Sequence, residues 1–182
     1  KTLRTLSKRY STLALGWDRK GIYNDEKMKK ELKWNRNDVS NIAVKILNVR
    51  APFNQESIIS YLPMVIYFPV FWTWVFFSLS KERPKIVHAC DLDTVLPAFL
   101  YKLLFRRKMI LDVYDRYAMT LYDRYALTFM PAKFRLLRSL LNVFEEFFSK
   151  HSDVLINISE DLLLTFRNKP KNCIIIRNCP DD

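Results

Sequence analysis

The chain has 182 residues, of which 49% are hydrophobic and 14% aromatic, and only two glycines; this argues against disorder and against a glycine-rich phosphate loop. A net charge of +11 suggests a polyanionic partner, whether an anionic membrane, a phosphorylated substrate or nucleic acid. Cys90, Cys173 and Cys179 are odd in number without Cys-x-x-Cys spacing, and His88 and His151 are the only histidines, so a reduced, cytosolic setting and no metal are expected.

The charge is uneven. Residues 1–50 carry 13 Lys/Arg against 5 Asp/Glu, and residues 101–150 carry 10 against 5. One domain is expected over 1–182, large enough to bury a core without disulfides. Leu3, Leu6 and Tyr10 have helical spacing among basic residues. STLALG (11–16) reads as a strand closed by Trp17-Asp18-Arg19, and NIAVKILNV (41–49) as a second strand closed by Arg50-Ala51-Pro52. Between them, 21–40 is polar and poorly periodic, a loop or marginal helix.

The most apolar run, Tyr61 to Leu79, has nearly the length of a membrane span and no charge. Pro63 and Pro69 interrupt it, and Trp72 and Trp74 sit inside it rather than at its ends. A buried or membrane-surface helix is therefore expected, not a span. From Lys85 strands and helices alternate regularly. KIVHACD is a strand, and Thr94 to Phe105 a helix with Asp93 or Thr94 as its cap. MILDVYD is a strand; Pro131 opens a helix to about Ser149. DVLINIS is a strand, Ser159-Glu160-Asp161 starts a helix, and CIIIR is the last strand. This alternation predicts an α/β fold: a doubly wound, Rossmann-like, mostly parallel sheet with helices on both faces.

The segment from His88 to Ala98, HACDLDTVLPA, resembles the "HAHDLDTLLPA" segment in the N-terminal lobe of family 4 glycosyltransferases of the GT-B fold. Leu111 to Asp115 resembles that family's "YDAHE" segment. Gly16 to Arg19 resembles the end of its second strand, and Ile176 to Pro180 the exit toward its interdomain linker. Two substitutions depart from the pattern: Tyr114 stands in place of the family histidine of "YDAHE", and Cys90 in place of the second histidine of "HAHD". The resemblance further implies that the family's first strand and Gly-rich turn, and its second lobe with a Glu-x7-Glu element, lie outside this chain.

The resemblance implies an acceptor-side lobe. In such sheets polar groups at the C-terminal strand ends face the ligand crevice, which selects Asp18, Arg19, Arg50, His88, Asp91, Tyr114, Asp115, Ser159, Glu160 and Asn178. Glycosyl transfer needs a base or orienting acceptor for the hydroxyl and cations or helix N-termini for the leaving phosphate. Asp115 is the first candidate for the base and Asp91 the second. Arg19 and Arg50 are candidates to hold an acceptor phosphate, with His88, Tyr114, Ser159 and Asn178 along the same edge. Ser159 also suits a helix cap, and His88 a core histidine.

The helix after Pro131 has apolar residues at 134, 136, 137, 140, 141, 143, 144, 147 and 148. Lys133, Arg135 and Arg138 lie toward its N-terminus and Glu145 and Glu146 toward its C-terminus, the reverse of what the helix dipole favours. The basic end is therefore expected to meet an anionic membrane or lipid phosphate. Just before it, Tyr114 to Ala118 (YDRYA) returns as Tyr122 to Ala126. A period of eight fits no coiled coil. We read it as a tandem duplication after the strand, its first copy in register, so that Asp115 rather than Asp123 is the site candidate.

The expected function is the acceptor-binding lobe of a glycosyltransferase at the cytoplasmic face of a membrane. The donor is a nucleotide sugar held mainly by a second lobe, the acceptor a lipid-linked or surface glycan, and neither metal nor cofactor is required. The alternative is a non-catalytic subunit that recruits a separate catalytic lobe to the membrane. Nucleic acid is not expected, since the aromatics do not interleave with the basic residues.

Overall fold

A computed structural model describes residues 9–18, 42–47, 49, 61–116, 118–119 and 132–176, with the side chains of 61–65, 132–135 and 137 outside that description. The chain divides into two units, 1–75 and 76–182. The expected helix near Leu3, the 21–40 segment, the second YDRYA copy, Arg19, Arg50 and Asn178 all lie outside the described residues.

In the first unit β1 (Thr12–Trp17) pairs in parallel with β2 (Ile42–Leu47), from Thr12 opposite Ile42 to Trp17 opposite Leu47. Trp17 closes this sheet. Its ring stacks on Phe71 at 5.3 Å between centroids, meets Phe68 edge-on at 6.0 Å, and its indole N–H donates to the Val49 carbonyl at 2.9 Å. Such ring pairs contribute about 0.5–1.5 kcal/mol beyond the area they bury.

α1 (Tyr61–Glu82) is continuous through Pro69. The sequence suggested an interruption there; the helix instead tolerates one missing backbone donor within 22 residues. Among the described residues no helix is long and apolar enough to cross a membrane.

The second unit holds the regular alternation. β3 (Ile86–Cys90), α2 (Asp91–Phe105), β4 (Lys108–Val113), α3 (Ala132–His151), β5 (Val154–Asn157), α4 (Glu160–Leu164) and β6 (Cys173–Ile175) follow in order. The four strands form a parallel sheet in the order β3-β4-β5-β6. The fold is α/β and Rossmann-like, with its described strands in two parallel sheets rather than one. Alternation along the strands buries Val87, Ala89, Met109, Leu111, Val113 and Leu155 on one face. α2 packs there through Val95, Ala98 and Phe99, and Tyr101, fully buried, donates its hydroxyl to the Pro84 carbonyl at 3.0 Å. Opposite them, His88, Ile110, Val154 and Ile156 are half-exposed, and Ile86 and Ile174 are exposed.

α3 mixes polar and apolar residues on both its inner and its outer face. Glu145 and Glu146 are buried, while Leu136, Leu140, Val143, Phe144 and Phe147 are exposed. The ring of Phe147 meets Phe99 of α2 edge-on at 5.5 Å, and α2 adds exposed Leu100, Leu103, Leu104 and Phe105. The two helices thus present an outward apolar surface, with Arg106, Arg138 and Lys150 exposed among its neighbours in sequence.

Candidate functional site

The exits of β3 and β4 are built around Asp91. The helix begins at this residue, earlier than the Asp93 or Thr94 cap read from the sequence. Asp91 has φ 58, in the left-handed region, which Asp tolerates better than most residues because its short carboxylate bonds locally. Here the bond is not local in sequence: Oδ1 accepts the Tyr114 N–H at 2.9 Å. The Thr94 hydroxyl turns back to the Cys90 carbonyl, so neither Asp93 nor Thr94 acts as the cap. The Asp91 carboxylate therefore ties the β3 exit to the β4 exit. Burial pushes its pKa up, opposed by the N–H groups of Tyr114 and Asp115. A carboxyl raised in this way is better matched to accepting a proton near neutrality.

Asp115 and Tyr114 follow directly and are exposed. The charge of Asp112, ahead of burial, raises the Tyr114 phenol above its ordinary value. Asp115 borders a cavity of about 10 Å³ with Leu111, Val113, Glu145, Phe148 and Phe166 among its other walls. That volume holds about one water and no larger ligand.

The first copy of the repeat is anchored by Arg116, which is 3% exposed. Its Nε donates to Glu145 Oε2 at 3.0 Å, and its Nη2 to Asn142 Oδ1 at 2.5 Å and Glu146 Oε1 at 3.3 Å. Its Nη1 donates to the carbonyl of Thr165 at 2.6 Å, and the guanidinium lies 4.2 Å from the Phe166 ring centre. Glu145 also accepts the N–H of Ala118, and Glu146 those of Arg167 and Asn168. This network fixes the chain after β4 against α3 and the residues after α4. It also accounts for Glu145 and Glu146 near the C-terminal end of α3: they are there to hold Arg116. The acidic half of the reversed charge order thus has a packing cause.

Of the other candidates, Ser159 caps α4, its hydroxyl accepting the Leu162 N–H at 3.1 Å. His88 is half-buried with Nε2 3.0 Å from Asp112 Oδ2. Lys133 and Arg135 lie in the first turn of α3 with side chains outside the description, and Arg138 is exposed. The structure thus joins Asp91 to Tyr114, with Asp115 next in the chain, while His88 pairs with Asp112 and Ser159 caps α4.

Two residues passed over in the sequence belong to this edge. Arg116 was hidden because a charged residue after a strand reads as solvated; the paired Glu145 and Glu146 at the wrong end of a helix were its signal. Asp112 was hidden inside an apolar strand, yet it lies opposite Cys90 in register. His88, Cys90 and Asp112 offer ligand atoms within 4.8 Å of one another, a cluster that sequence spacing did not reveal. Desolvation first, then the carboxylates of Asp112, Asp91 and Asp93, push the Cys90 thiol up to about 11, although the residue as a whole is exposed.

No protein-family model matches the chain, and no curated protein matches it either.

Proposed function

We propose that the chain is the acceptor-binding lobe of a glycosyltransferase that works at a membrane face. The observation that carries this reading is the joined β3 and β4 exits. The segment from His88 to Ala98 that resembles the glycosyltransferase motif turns from strand to helix at Asp91, and Asp91 holds Tyr114 beside Asp115. Strand exits of this kind are where parallel α/β sheets bind ligands. In the proposed reaction Asp115 accepts or orients the acceptor hydroxyl proton. Asp91 acts through the backbone of Tyr114 and Asp115 and is the second candidate for proton transfer. Arg19, Arg50 and Asn178 remain candidates for holding the acceptor, and a nucleotide sugar supplies the donor from a second lobe.

The outward apolar surface of α2 and α3 supports peripheral attachment. Leu, Val and Phe side chains buried in the headgroup region, with Lys133, Arg135 and Arg138 over anionic lipid, describe an interfacial helix pair. The same surface also favours the second reading, a non-catalytic subunit that brings a separate donor-binding lobe to the membrane. Mass spectrometry of lipid-linked glycans from cells lacking the gene tests both. The transferase reading expects a glycan shortened by a sugar, restored by wild type but not by Asp115→Asn. Restoration by Asp115→Asn favours the recruiting subunit. An unchanged glycan profile contradicts both.

A further inference from the structure

We propose that His88, Cys90 and Asp112 form a binding site for a zinc-class divalent cation, with a fourth coordination position open to solvent or substrate. This goes beyond the transferase reading, which calls for no metal, and stands independently of it.

The site follows from strand geometry. His88 and Cys90 are two residues apart on β3, so their side chains share a face of the sheet. Cys90 is the register partner of Asp112 on the adjacent parallel strand, which places Asp112 on that face as well. The three ligand atoms lie within 4.8 Å of one another, with His88 Nε2 and Asp112 Oδ2 at 3.0 Å. In a tetrahedral zinc site, bonds of about 2.0–2.3 Å set ligand atoms roughly 3.3–3.8 Å apart. Reaching that arrangement takes small side-chain rotations, with Cys90 the exposed member and so the freest to turn. All three residues are on hydrogen-bonded strands rather than loops, which limits how far the set can drift.

The donor set selects the metal. One imidazole nitrogen, one thiolate and one carboxylate suit a borderline-soft ion such as Zn²⁺ or Co²⁺, and not Mg²⁺ or Ca²⁺, which take oxygen. Charge balances: a neutral imidazole, one thiolate and one carboxylate offset the two positive charges of the ion. On binding, the Cys90 thiol proton is released to solvent. In the metal-free pair Nε2 faces the Asp112 carboxylate as donor; on metal binding the neutral ring takes the tautomer with its proton on Nδ1, which leaves the Nε2 lone pair to ligate. Asp91 and Asp93 follow Cys90 closely in the chain, and their negative charge draws a cation to this end of the sheet. Three protein ligands with an open position is the pattern of zinc sites that act on a bound molecule rather than only brace a fold.

Titration of the purified chain with Co²⁺, followed by absorption and then by displacement with Zn²⁺, tests the proposal. The expected result is about one ion per chain, a thiolate-to-cobalt charge-transfer band in the near ultraviolet, and loss of that band on adding Zn²⁺. Cys90→Ser should abolish the band and weaken binding by at least ~10-fold, and His88→Gln should weaken it similarly, since even a lost outer-sphere partner typically costs that much. A chain carrying Cys173→Ser and Cys179→Ser should keep the band. Asp112 is buried, so if Asp112→Asn fails to fold, the exposed Cys90→Ser position decides the matter, with circular dichroism confirming its fold. No thiolate band in the wild type, or a band that survives Cys90→Ser, overturns the proposal.

Discussion

Replacing Arg116 with Met should destabilise the second unit by about 3–5 kcal/mol, the typical cost of leaving buried charge without its partner. The magnitude follows from the network. Arg116 is 3% exposed and lies between Glu145 and Glu146, themselves nearly as inaccessible. With Arg116 present, two anions face one cation, and the N–H groups of Ala118, Arg167 and Asn168 stabilise the remaining negative charge. Without it, two adjacent carboxylates stay buried with only those donors. Taking a urea slope of about 2 kcal/mol per molar, the midpoint should fall by roughly 2 M. Urea unfolding followed by circular dichroism measures this shift. Adding Glu145→Gln and Glu146→Gln to Arg116→Met should recover more than half of the loss. Glutamine keeps an acceptor for the three backbone donors while removing the charge. Two results would refute the reasoning: a loss below about 0.5 kcal/mol, which is what a surface substitution costs, or a triple variant whose losses simply add.

Three other outcomes follow from the same structure. Desolvation works against the Asp153 carboxylate, but hydrogen bonds from the Met109 N–H, Lys102 and Lys108 prevail and hold it below the usual carboxylate range. Its contribution is therefore full above the unfolded value of about 3.9 and is lost as pH falls through the depressed folded value. Asp153→Asn should cost roughly 1 kcal/mol at neutral pH, a figure discounted for partial exposure, and the gap between the two urea midpoints should close in acid. Liposome flotation should show wild-type binding that weakens with salt. Changing Lys133, Arg135 and Arg138 to Glu should weaken it by about 1 kcal/mol per charge removed, and Phe144→Ser with Phe147→Ser should weaken it at every salt concentration; equal flotation by all forms would contradict the surface assignment. Asp91→Asn keeps an oxygen for the Tyr114 N–H and should retain the fold, whereas Asp91→Ala should lose the clamp at a cost of about 1–2 kcal/mol, read from thermal unfolding.

The elements from β3 to β4 were legible because local signals agree there. A short apolar strand in KIVHACD, a helix from Thr94 to Phe105 and a second apolar strand in MILDVYD all indicate one strand–helix–strand unit, and the structure has it at Ile86–Cys90, Asp91–Phe105 and Lys108–Val113. The helix start was misplaced by the left-handed Asp91, whose carboxylate bonds a residue just after the next strand. Periodicity marked α3 but not which of its faces turns inward. That choice is set by Arg116, sixteen residues before the helix begins, which draws Asn142, Glu145 and Glu146 inside and turns Phe144 and Phe147 out. The cluster of His88, Cys90 and Asp112 depends on strand register, a property of pairing that one strand's sequence does not carry.

Sugar transfer in a complete system tests the central claim most directly. Membranes from cells overproducing the protein, supplied with a panel of radiolabelled nucleotide sugars, should incorporate label from one donor into lipid-extractable glycan. Asp115→Asn, present at equal abundance and floating normally with liposomes, should reduce that rate ~10²–10⁴-fold, the range for loss of a general base. Incorporation that is equal for wild type and Asp115→Asn, or no incorporation from any donor, would contradict the account.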